Sequence, residues 1–237
     1  MNPKKWSKKE RKYCLKYDKI ICVVEEMKTK LITNFGIDEK KLIVVSNHEK
    51  KEFINNFKDK VAQNTITEKD FSITYVGGFG PHRGLQTAIK AMPEIVKIIP
   101  NAKLFLIGKG SVDVENKLKE IVARHKVTNA VVFLGYRPFN EVSTIMQKTN
   151  INIIPHLAND HTDNTIPHKL FQIMMSRSLL LVSSCKPIQR IVKKYDAGIV
   201  FKAGDVKAFA KKVIFIHKNV DACQAKTQNA YNAVMDK

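Results

Sequence analysis

Two loops of the sequence carry basic side chains where they could bind an anionic ligand. In YVGGFGPHRG (75–84), Gly77, Gly78 and Gly80 let the backbone approach a ligand closely, and Arg83 adds a positive charge at the start of the next helix. Backbone N–H groups together with an arginine suit a diphosphate. The pattern is neither GxGxxG nor a P-loop, and a glycine-rich turn with a solvated arginine fits it equally well.

The second loop, NTIPHKLFQ (164–172), runs into a helix that we predict over residues 167–178. Pro167 suits the first helical position, and Asn164 or Thr165 could cap the helix. Taken alone, the stretch is also consistent with an ordinary capped helix that binds nothing.

Two further features favour an anion site. Lys169 falls in the first turn of that predicted helix, and a lysine beside a helix N-terminus suits an anion. The loop LIGKGS (106–111) places Gly108 and Gly110 on either side of Lys109. For this third loop, a plain turn between a strand and a helix is the simpler interpretation.

The elements that must position these loops alternate regularly. Near-continuous apolar runs predict strands that are buried on both faces, and stretches with helical apolar spacing separate them. This alternation predicts an α/β fold with a doubly wound parallel sheet and right-handed crossovers. Such sheets bind ligands at the carboxyl ends of their strands, and each of the three loops follows a strand. The predicted strands are residues 73–77, 103–108, 130–135, 151–155, 179–184 and 198–201.

The residues before this sheet form a separate pattern. KIICVV (19–24) and KLIVVSN (41–47) resemble strands on either side of a helix that Gly36 ends, which predicts one short α/β unit. KVAQNTITEKD (60–70) is polar and predicts a boundary. We therefore expect a front unit over residues 1–60, a Rossmann-like domain over 70–218 and a C-terminal helix over 219–237.

Composition narrows the classes of partner. The chain has 237 residues, an apolar fraction of 44% and a formal net charge of +19, which favours nucleic acid, an acidic membrane face or phosphorylated small molecules. No nucleic-acid motif occurs, so we do not expect nucleic acid as a partner. The apolar runs are too short to span a membrane, and no secretion signal is recognisable. The opening stretch KKWSKKERKYCLK (4–16) predicts a solvated helix face or, through Trp6 and Tyr13, a peripheral contact with an anionic membrane.

Cysteine and histidine usage gives no metal or disulfide pattern. The four cysteines show no CxxC spacing, which is typical of reduced thiols in a cytoplasmic protein. His156, His161 and His168 are five and seven positions apart, which fits no standard metal template. We therefore expect neither a metal ion nor another cofactor.

The order of these motifs resembles the C-terminal half of the family-4 type of retaining GT-B glycosyltransferases (glycosyl transferases group 1). That family reads G-R-L-x-x-x-K-G after the first strand of its C-terminal domain. Here GGFGPHRG has Gly78 in place of the arginine and Arg83 in place of the lysine. A G-x-G turn follows at Gly108 and Gly110, and an F-x-G strand end follows at FLGY (133–136).

The resemblance also assigns roles to the second loop. The family carries E-x7-E, and Asn164 and Gln172 occupy those two places at the same spacing. The resemblance implies that Gln172 holds the ribose of a nucleotide sugar. It also implies that Asn164, Thr165 and Ile166 contact the sugar that is transferred. Arg83 and Lys169 would neutralise the diphosphate leaving group. The other implied donor-site residues are Gly77, Gly78 and Gly108 in the glycine loops, with Tyr136 and Arg137 as candidates for the base pocket.

Over residues 19–237, the resemblance implies a glycosyltransferase that moves a sugar from a nucleotide sugar to a glycan or lipid-linked acceptor. The implied setting is cell-surface polysaccharide synthesis on the cytoplasmic face of the plasma membrane. In such a scheme cationic side chains take the role that a metal would play.

Two departures from the family pattern leave alternatives open. Asn164 and Gln172 are amides where the family has glutamates, and an amide lacks the charge-assisted strength of a carboxylate. The chain also starts with only the last pieces of an N-terminal GT-B domain. We therefore expect an enzyme that is incomplete without an N-terminal domain or a partner chain that supplies one; the alternatives are a truncated fragment and a non-catalytic partner subunit with a degenerate donor site.

Overall fold

A computed structural model of the chain describes residues 3–58, 66–67 and 69–236. The chain begins with helix α1 (Pro3–Cys14) and a short α/β unit made of β1 (Ile20–Cys22), α2 (Glu25–Phe35) and β2 (Leu42–Val44). The strands β1 and β2 pair in parallel, and Gly36 ends α2 in the left-handed conformation, as predicted. This unit has a small apolar core of its own around Cys22, Leu31 and Phe35.

A 3₁₀ segment (Lys51–Lys58) leads from this unit toward the main sheet. The predicted boundary over residues 60–70 lies largely outside the described residues.

The main sheet has six parallel strands, and all six coincide with predicted strands to within about two residues at either end. In chain order they are β3 (Phe71–Val76), β4 (Ala102–Ile107), β5 (Val131–Gly135), β6 (Ile151–Ile154), β7 (Leu179–Ser183) and β8 (Ile199–Phe201). Their spatial order is β5-β4-β3-β6-β7-β8. The strand order reverses between β3 and β6, which makes this pair the switch point of the doubly wound sheet.

Helices cover both faces of the sheet. They are α3 (Leu85–Ile98), α4 (Val112–Arg124), α5 (Phe139–Lys148), α6 (Lys169–Met175), α7 (Lys186–Lys194), α8 (Val206–Lys218) and α9 (Val220–Met235). Helices α3, α4 and α8 pack with strand residues in one core cluster. Helices α5, α6 and α7 pack with strand residues in a second cluster. Strand residues divide between the clusters by alternation, since Leu181 belongs to one core and Leu180 and Val182 to the other. The α/β fold with a doubly wound parallel sheet is therefore confirmed.

The structure corrects one prediction about α6. The helix spans Lys169–Met175 rather than 167–178, so Pro167 lies before it and not at its first position. Leu170 N–H bonds to the Pro167 carbonyl at 3.0 Å, an i−3 contact that makes this entry a tight turn. The helix ends early because Arg177 adopts φ 56°, in the left-handed region.

Candidate functional site

The loops that follow β3 and β6 meet at the switch point of the sheet. Leu157 N–H donates to the His82 carbonyl at 2.9 Å, which joins the two loops directly. Gly84 lies against Pro155 so closely that a Cβ on Gly84 would come within 1.8 Å of the Pro155 carbonyl oxygen. The predicted residues Arg83 and Lys169 are thereby brought to one edge of the sheet from opposite sides of the switch point.

The ammonium group of Lys169 is buried at this junction. Its Nζ atom has essentially no exposed surface and no hydrogen-bond partner among the described residues, although the residue as a whole is half-buried. The nitrogen lies 3.9 Å from the ring centroid of Tyr75 and 2.7 Å from where a Cβ on Gly77 would stand. Burial, together with the charge of Arg83, holds the pKa of Lys169 well below its usual value. A buried, unpaired cation is costly, and an anion beside it would relieve that cost.

Arg83 contributes the second positive charge and pairs with an imidazole. Its Nη1 atom lies 3.2 Å from Nε2 of His156, a buried residue that follows β6 after one proline. Within the described part of the chain, neither Arg83 nor Lys169 forms an ion pair with a carboxylate. Burial and the charges of Lys169 and Arg83 lower the pKa of His156 to about 2, so the imidazole stays neutral beside the arginine.

Two more histidines complete this basic cluster. The ring of His82 lies 6.3 Å from that of His156 and 5.4 Å from that of His161, centroid to centroid. Burial and the neighbouring charge of Arg83 lower the pKa of His82. The side chains surround a cavity of about 190 Å³ lined by Arg83, His156, His161, Thr162, Thr165, Ile166 and Pro167. This arrangement suits phosphate oxygens, because the Arg83 guanidinium and several hydrogen-bonding side chains line the cavity and no carboxylate is among its lining residues.

The glycine loops form the wall on the β4 side. Gly108 packs on Gly77, and its N–H donates to the Gly135 carbonyl at 2.8 Å. Phe79 N–H donates to the Lys109 carbonyl at 2.8 Å, and the Gly78 carbonyl accepts from the Tyr75 hydroxyl at 2.8 Å. The ends of β3, β4 and β5 are therefore tied into one rim, which includes the predicted residues Gly77, Gly78 and Gly108.

Asn164, Thr165 and Ile166 lie on the β6 side of the site, but not as helix caps. Asn164 Nδ2 donates to the Asp160 carbonyl at 2.6 Å, and the Thr165 hydroxyl donates to the His161 carbonyl at 2.8 Å. His168 precedes α6, and no side chain caps the helix there, so the predicted cap is wrong. The Ile166 side chain is in the core, and its carbonyl accepts from Asn47 Nδ2 at 3.1 Å.

Gln172 faces a carboxylate that the sequence did not lead us to expect. Its Nε2 atom donates to Glu49 Oε2 at 2.8 Å, and Nδ1 of His168 lies 3.3 Å from the same oxygen. The two partners are 123 positions apart in the chain. Lys169 and Gln172 are three residues apart on α6 and therefore lie on the same side of the helix.

Tyr136 and Arg137 follow β5 at the same end of the sheet. Tyr136 is 73% exposed, and Arg137 forms an ion pair with Glu141 at 3.8 Å, while its Nε atom is buried with no hydrogen-bond partner within the described ranges. No described contact joins these residues to the Arg83–Lys169 pair, so they form a separate outer part of the rim.

Sequence reasoning missed His82, His156 and Glu49. His156 had a usable signal, because it stands directly after the end of β6, where ligand-binding residues of parallel sheets occur. His156 was weighed only as a metal ligand, together with His161 and His168. Among the residues that the structure describes, no group of three His, Cys, Asp or Glu side chains has a metal-binding arrangement. Glu49 had no local signal, since its role depends on a contact between distant segments.

The fold defines a class of protein. The six-stranded parallel sheet with helices on both faces matches the Rossmann-like C-terminal domain of GT-B glycosyltransferases. The family model described as glycosyl transferases group 1 matches residues 56–233. The chain therefore belongs to the glycosyl transferases group 1 family.

Relatives with curated names are glycosyltransferases as well. The chain is 28% identical over 153 residues to an uncharacterised glycosyltransferase of Methanocaldococcus jannaschii, covering 61% of this chain and 36% of the relative. It is 20% identical over 146 residues to the phosphatidyl-myo-inositol mannosyltransferase of Mycolicibacterium smegmatis, again covering 61% of this chain and 36% of the relative. The matched region is thus little more than a third of these longer proteins.

Solved structures share the fold along the whole chain. Sucrose-phosphate synthase from Thermosynechococcus elongatus superposes with a TM-score of 0.84 at 16% identity, covering 100% of this chain and 58% of that one. The Anabaena protein HepE, in complex with UDP and glucose, gives a TM-score of 0.83 at 14% identity, covering 99% of this chain and 64% of that one. At such low identity, the likeness establishes the fold alone.

Proposed function

We propose that this chain binds the nucleotide-sugar donor of a retaining, family-4-type glycosyltransferase. The observation that carries the proposal is the buried ammonium of Lys169, which has no hydrogen-bond partner in the described part of the chain and lies beside Gly77 and close to Arg83 at the switch point. As the bond between the sugar and the diphosphate breaks, negative charge grows on the leaving group. Two cations held in a poorly solvated site stabilise that charge without reorganising. The scheme requires no metal ion.

The acceptor in this proposal is a glycan or a lipid-linked sugar, and the setting is cell-surface polysaccharide synthesis at the cytoplasmic face of the plasma membrane. No helix in the described ranges is long and apolar enough to cross a membrane. A peripheral contact through α1 is supported by Trp6 and Tyr13, which are 53% and 55% exposed, and by Lys9, whose ammonium lies 5.2 Å from the Trp6 ring centroid. Aromatic and basic side chains together favour an anionic membrane surface.

The donor site is tested by calorimetry with a panel of nucleoside diphosphates and nucleotide sugars. UDP is the first probe, because the structural neighbour HepE was solved with it. We expect one nucleotide to bind the wild type, and Arg83→Ala to weaken that binding at least tenfold. Arg124→Ala, an exposed arginine at the far end of α4, is the matched control and should bind like the wild type. Equal binding by all three proteins, or none by the wild type, would refute the donor site.

A second candidate is a non-catalytic partner subunit with a degenerate donor site. It is favoured by the amides at Asn164 and Gln172, and by the outer face of the β1–β2 sheet. There Ile21 and Ile43 are paired in register and are 63% and 46% exposed, as a surface that binds another chain would be. Co-purification of a partner without measurable nucleotide affinity would favour this candidate; sugar transfer by this chain alone would exclude it.

A further inference from the structure

The segment between β2 and the 3₁₀ helix (residues 45–50) is hydrogen-bonded to α6 and to the loop that precedes it. Asn47, His48 and Glu49 each bond to the stretch that contains the candidate donor loop: Asn47 to the Ile166 carbonyl, the His48 carbonyl to His168 Nε2, and Glu49 to Gln172. The Glu49 side chain is only 13% exposed. The largely buried carboxylate of Glu49 is therefore hydrogen-bonded to Gln172, a residue of the candidate donor site, and limits the orientations that the Gln172 side chain can adopt.

The contact fixes the orientation of the Gln172 amide. An ionised carboxylate accepts hydrogen bonds and cannot donate them, so the amide nitrogen of Gln172 must face Glu49. The amide oxygen is consequently directed away from Glu49 and remains able to accept a hydrogen bond. A glutamate at position 172 would instead place a second carboxylate about 3 Å from Glu49, where like charges at short range repel strongly.

We propose that Glu49 is a positioning residue for nucleotide binding. It holds Gln172 so that the amide oxygen accepts hydrogen bonds from the ribose hydroxyls of the donor. The carboxylate that the family pattern places on α6 is, in this chain, carried by the segment before the sheet. This inference rests on the proposed donor site, because it assigns a role within it.

If Glu49 positions Gln172, a glutamate at position 172 should impair the site rather than improve it. Gln172→Glu recreates the family glutamate, yet it should weaken nucleotide binding because it faces Glu49. Glu49→Gln should also weaken binding, since a glutamine at position 49 offers both a donor and an acceptor and no longer fixes the orientation of the Gln172 amide. The double variant Glu49→Gln/Gln172→Glu exchanges the two groups and restores one donor facing one carboxylate. It should therefore bind better than either single variant.

The experiment is calorimetry with UDP and 2′,3′-dideoxy-UDP, or the corresponding pair for whichever base the panel selects. We expect the wild type to prefer the ribose form about tenfold, on the order of one net hydrogen bond. The preference should fall below about threefold in each single variant and return in the exchange variant. Glu52→Gln, which removes an exposed carboxylate from the 3₁₀ helix that follows the segment, is the matched control and should keep the preference.

The outcomes separate this inference from the proposed function. If the wild type binds no nucleotide of the panel, the donor site itself is refuted and the role of Glu49 with it. If the wild type prefers the ribose form and the variants at 49 and 172 keep that preference, only the role of Glu49 is refuted. Thermal unfolding of each variant is measured in parallel. A merely structural contact would lower the midpoint of unfolding and leave the ribose preference unchanged, which would also overturn the inference.

Discussion

Some side chains of this site lower the free energy of unfolding of the protein but favour ligand binding. Lys169 illustrates the conflict, because its ammonium is buried against Tyr75 and finds no hydrogen-bond partner among the residues that the structure describes. The cation–π contact offsets part of the desolvation cost, by about 0.5–2 kcal/mol. A methionine of similar length would fill the same space without a charge to bury.

Lys169→Met should therefore raise stability while it weakens ligand binding. Leaving a buried charged donor unpaired costs more than the 1–3 kcal/mol of a neutral one, so we expect a net gain of roughly 1 kcal/mol in the free energy of unfolding. The midpoint of thermal unfolding should rise by about 2–4 °C, and nucleotide affinity should fall at least tenfold. Lys90→Met, on the exposed side of α3, is the control. A fall in the midpoint for Lys169→Met would show that the ammonium has a partner in solution.

His156 should make the stability of the protein depend on pH. Its pKa falls to about 2 in the folded state through burial and the charges of Lys169 and Arg83, whereas an unfolded histidine titrates near 6.5. Below about pH 6.5 the unfolded chain binds a proton that the folded chain does not, so the free energy of unfolding falls as pH falls.

Between pH 6 and pH 4 this loss should amount to about 2.5 kcal/mol. His156→Gln removes the titrating group, and the difference between the two proteins isolates it from every other group. Urea unfolding at both pH values gives the measurement, with His125→Gln, at the end of α4, as the control. Parallel pH profiles for the wild type and His156→Gln would contradict a neutral, buried imidazole.

At the scale of elements, the sequence predicts what local patterns determine. The six strands of the main sheet were found because each is a buried run whose hydrophobicity is visible without its neighbours. The start of α6 was predicted wrongly, because the side chains of Asn164 and Thr165 bond back to residues 160 and 161 instead of capping the helix. The pairs Arg83–His156 and Glu49–Gln172 join residues that are 73 and 123 positions apart, and no local sequence pattern predicts such contacts.

The junction of the loops after β3 and β6 depends on one glycine. Gly84 and Gly36 have nearly the same left-handed φ, 69° and 67°, but a Cβ on Gly84 would lie 1.8 Å from the Pro155 carbonyl oxygen, whereas one on Gly36 would meet nothing within 4 Å. Gly36→Ala should cost about 1–2 kcal/mol from backbone strain alone.

Gly84→Ala should cost that amount plus the displacement of the β6 loop. We expect a total above about 3 kcal/mol, in the range of exceptional single substitutions, together with loss of nucleotide binding. Chemical unfolding of both variants, followed by calorimetry with UDP, tests the difference. Equal costs for the two alanines would show that the loops separate without penalty.

Across the whole molecule, the front unit is joined to the main sheet on both sides of the candidate site. The segment 47–49 bonds to the loop before α6 and to α6 itself, and Lys30 on α2 pairs with Asp160 at 2.8 Å. The third connection is an ion pair between α2 and α7, in which Arg190 binds Glu26 through two contacts of 2.6 and 3.0 Å. The docked front unit therefore helps to hold the candidate donor loop in place.

Arg190→Ala should loosen this docking selectively. Partial burial raises the pKa of Glu26, but the hydrogen bonds from Arg190, a backbone hydrogen bond and the charges of Arg190 and Lys186 together outweigh it, and the net pKa is lowered. The ion pair thus stabilises the fold at neutral pH and is lost as pH falls through that lowered value. For a partly exposed pair we expect a cost of about 0.5–1 kcal/mol, smaller in high salt.

Hydrogen exchange is the sharper measurement, because the amides of α2 should exchange faster in Arg190→Ala while those of β3, β4 and β6 keep their protection. Lys193→Ala, an exposed neighbour on α7, is the control and should leave both groups of amides unchanged. Uniformly faster exchange throughout the chain would mean that the front unit and the sheet unfold as one body. The docking of α2 would then not be a separate step that the donor loop depends on.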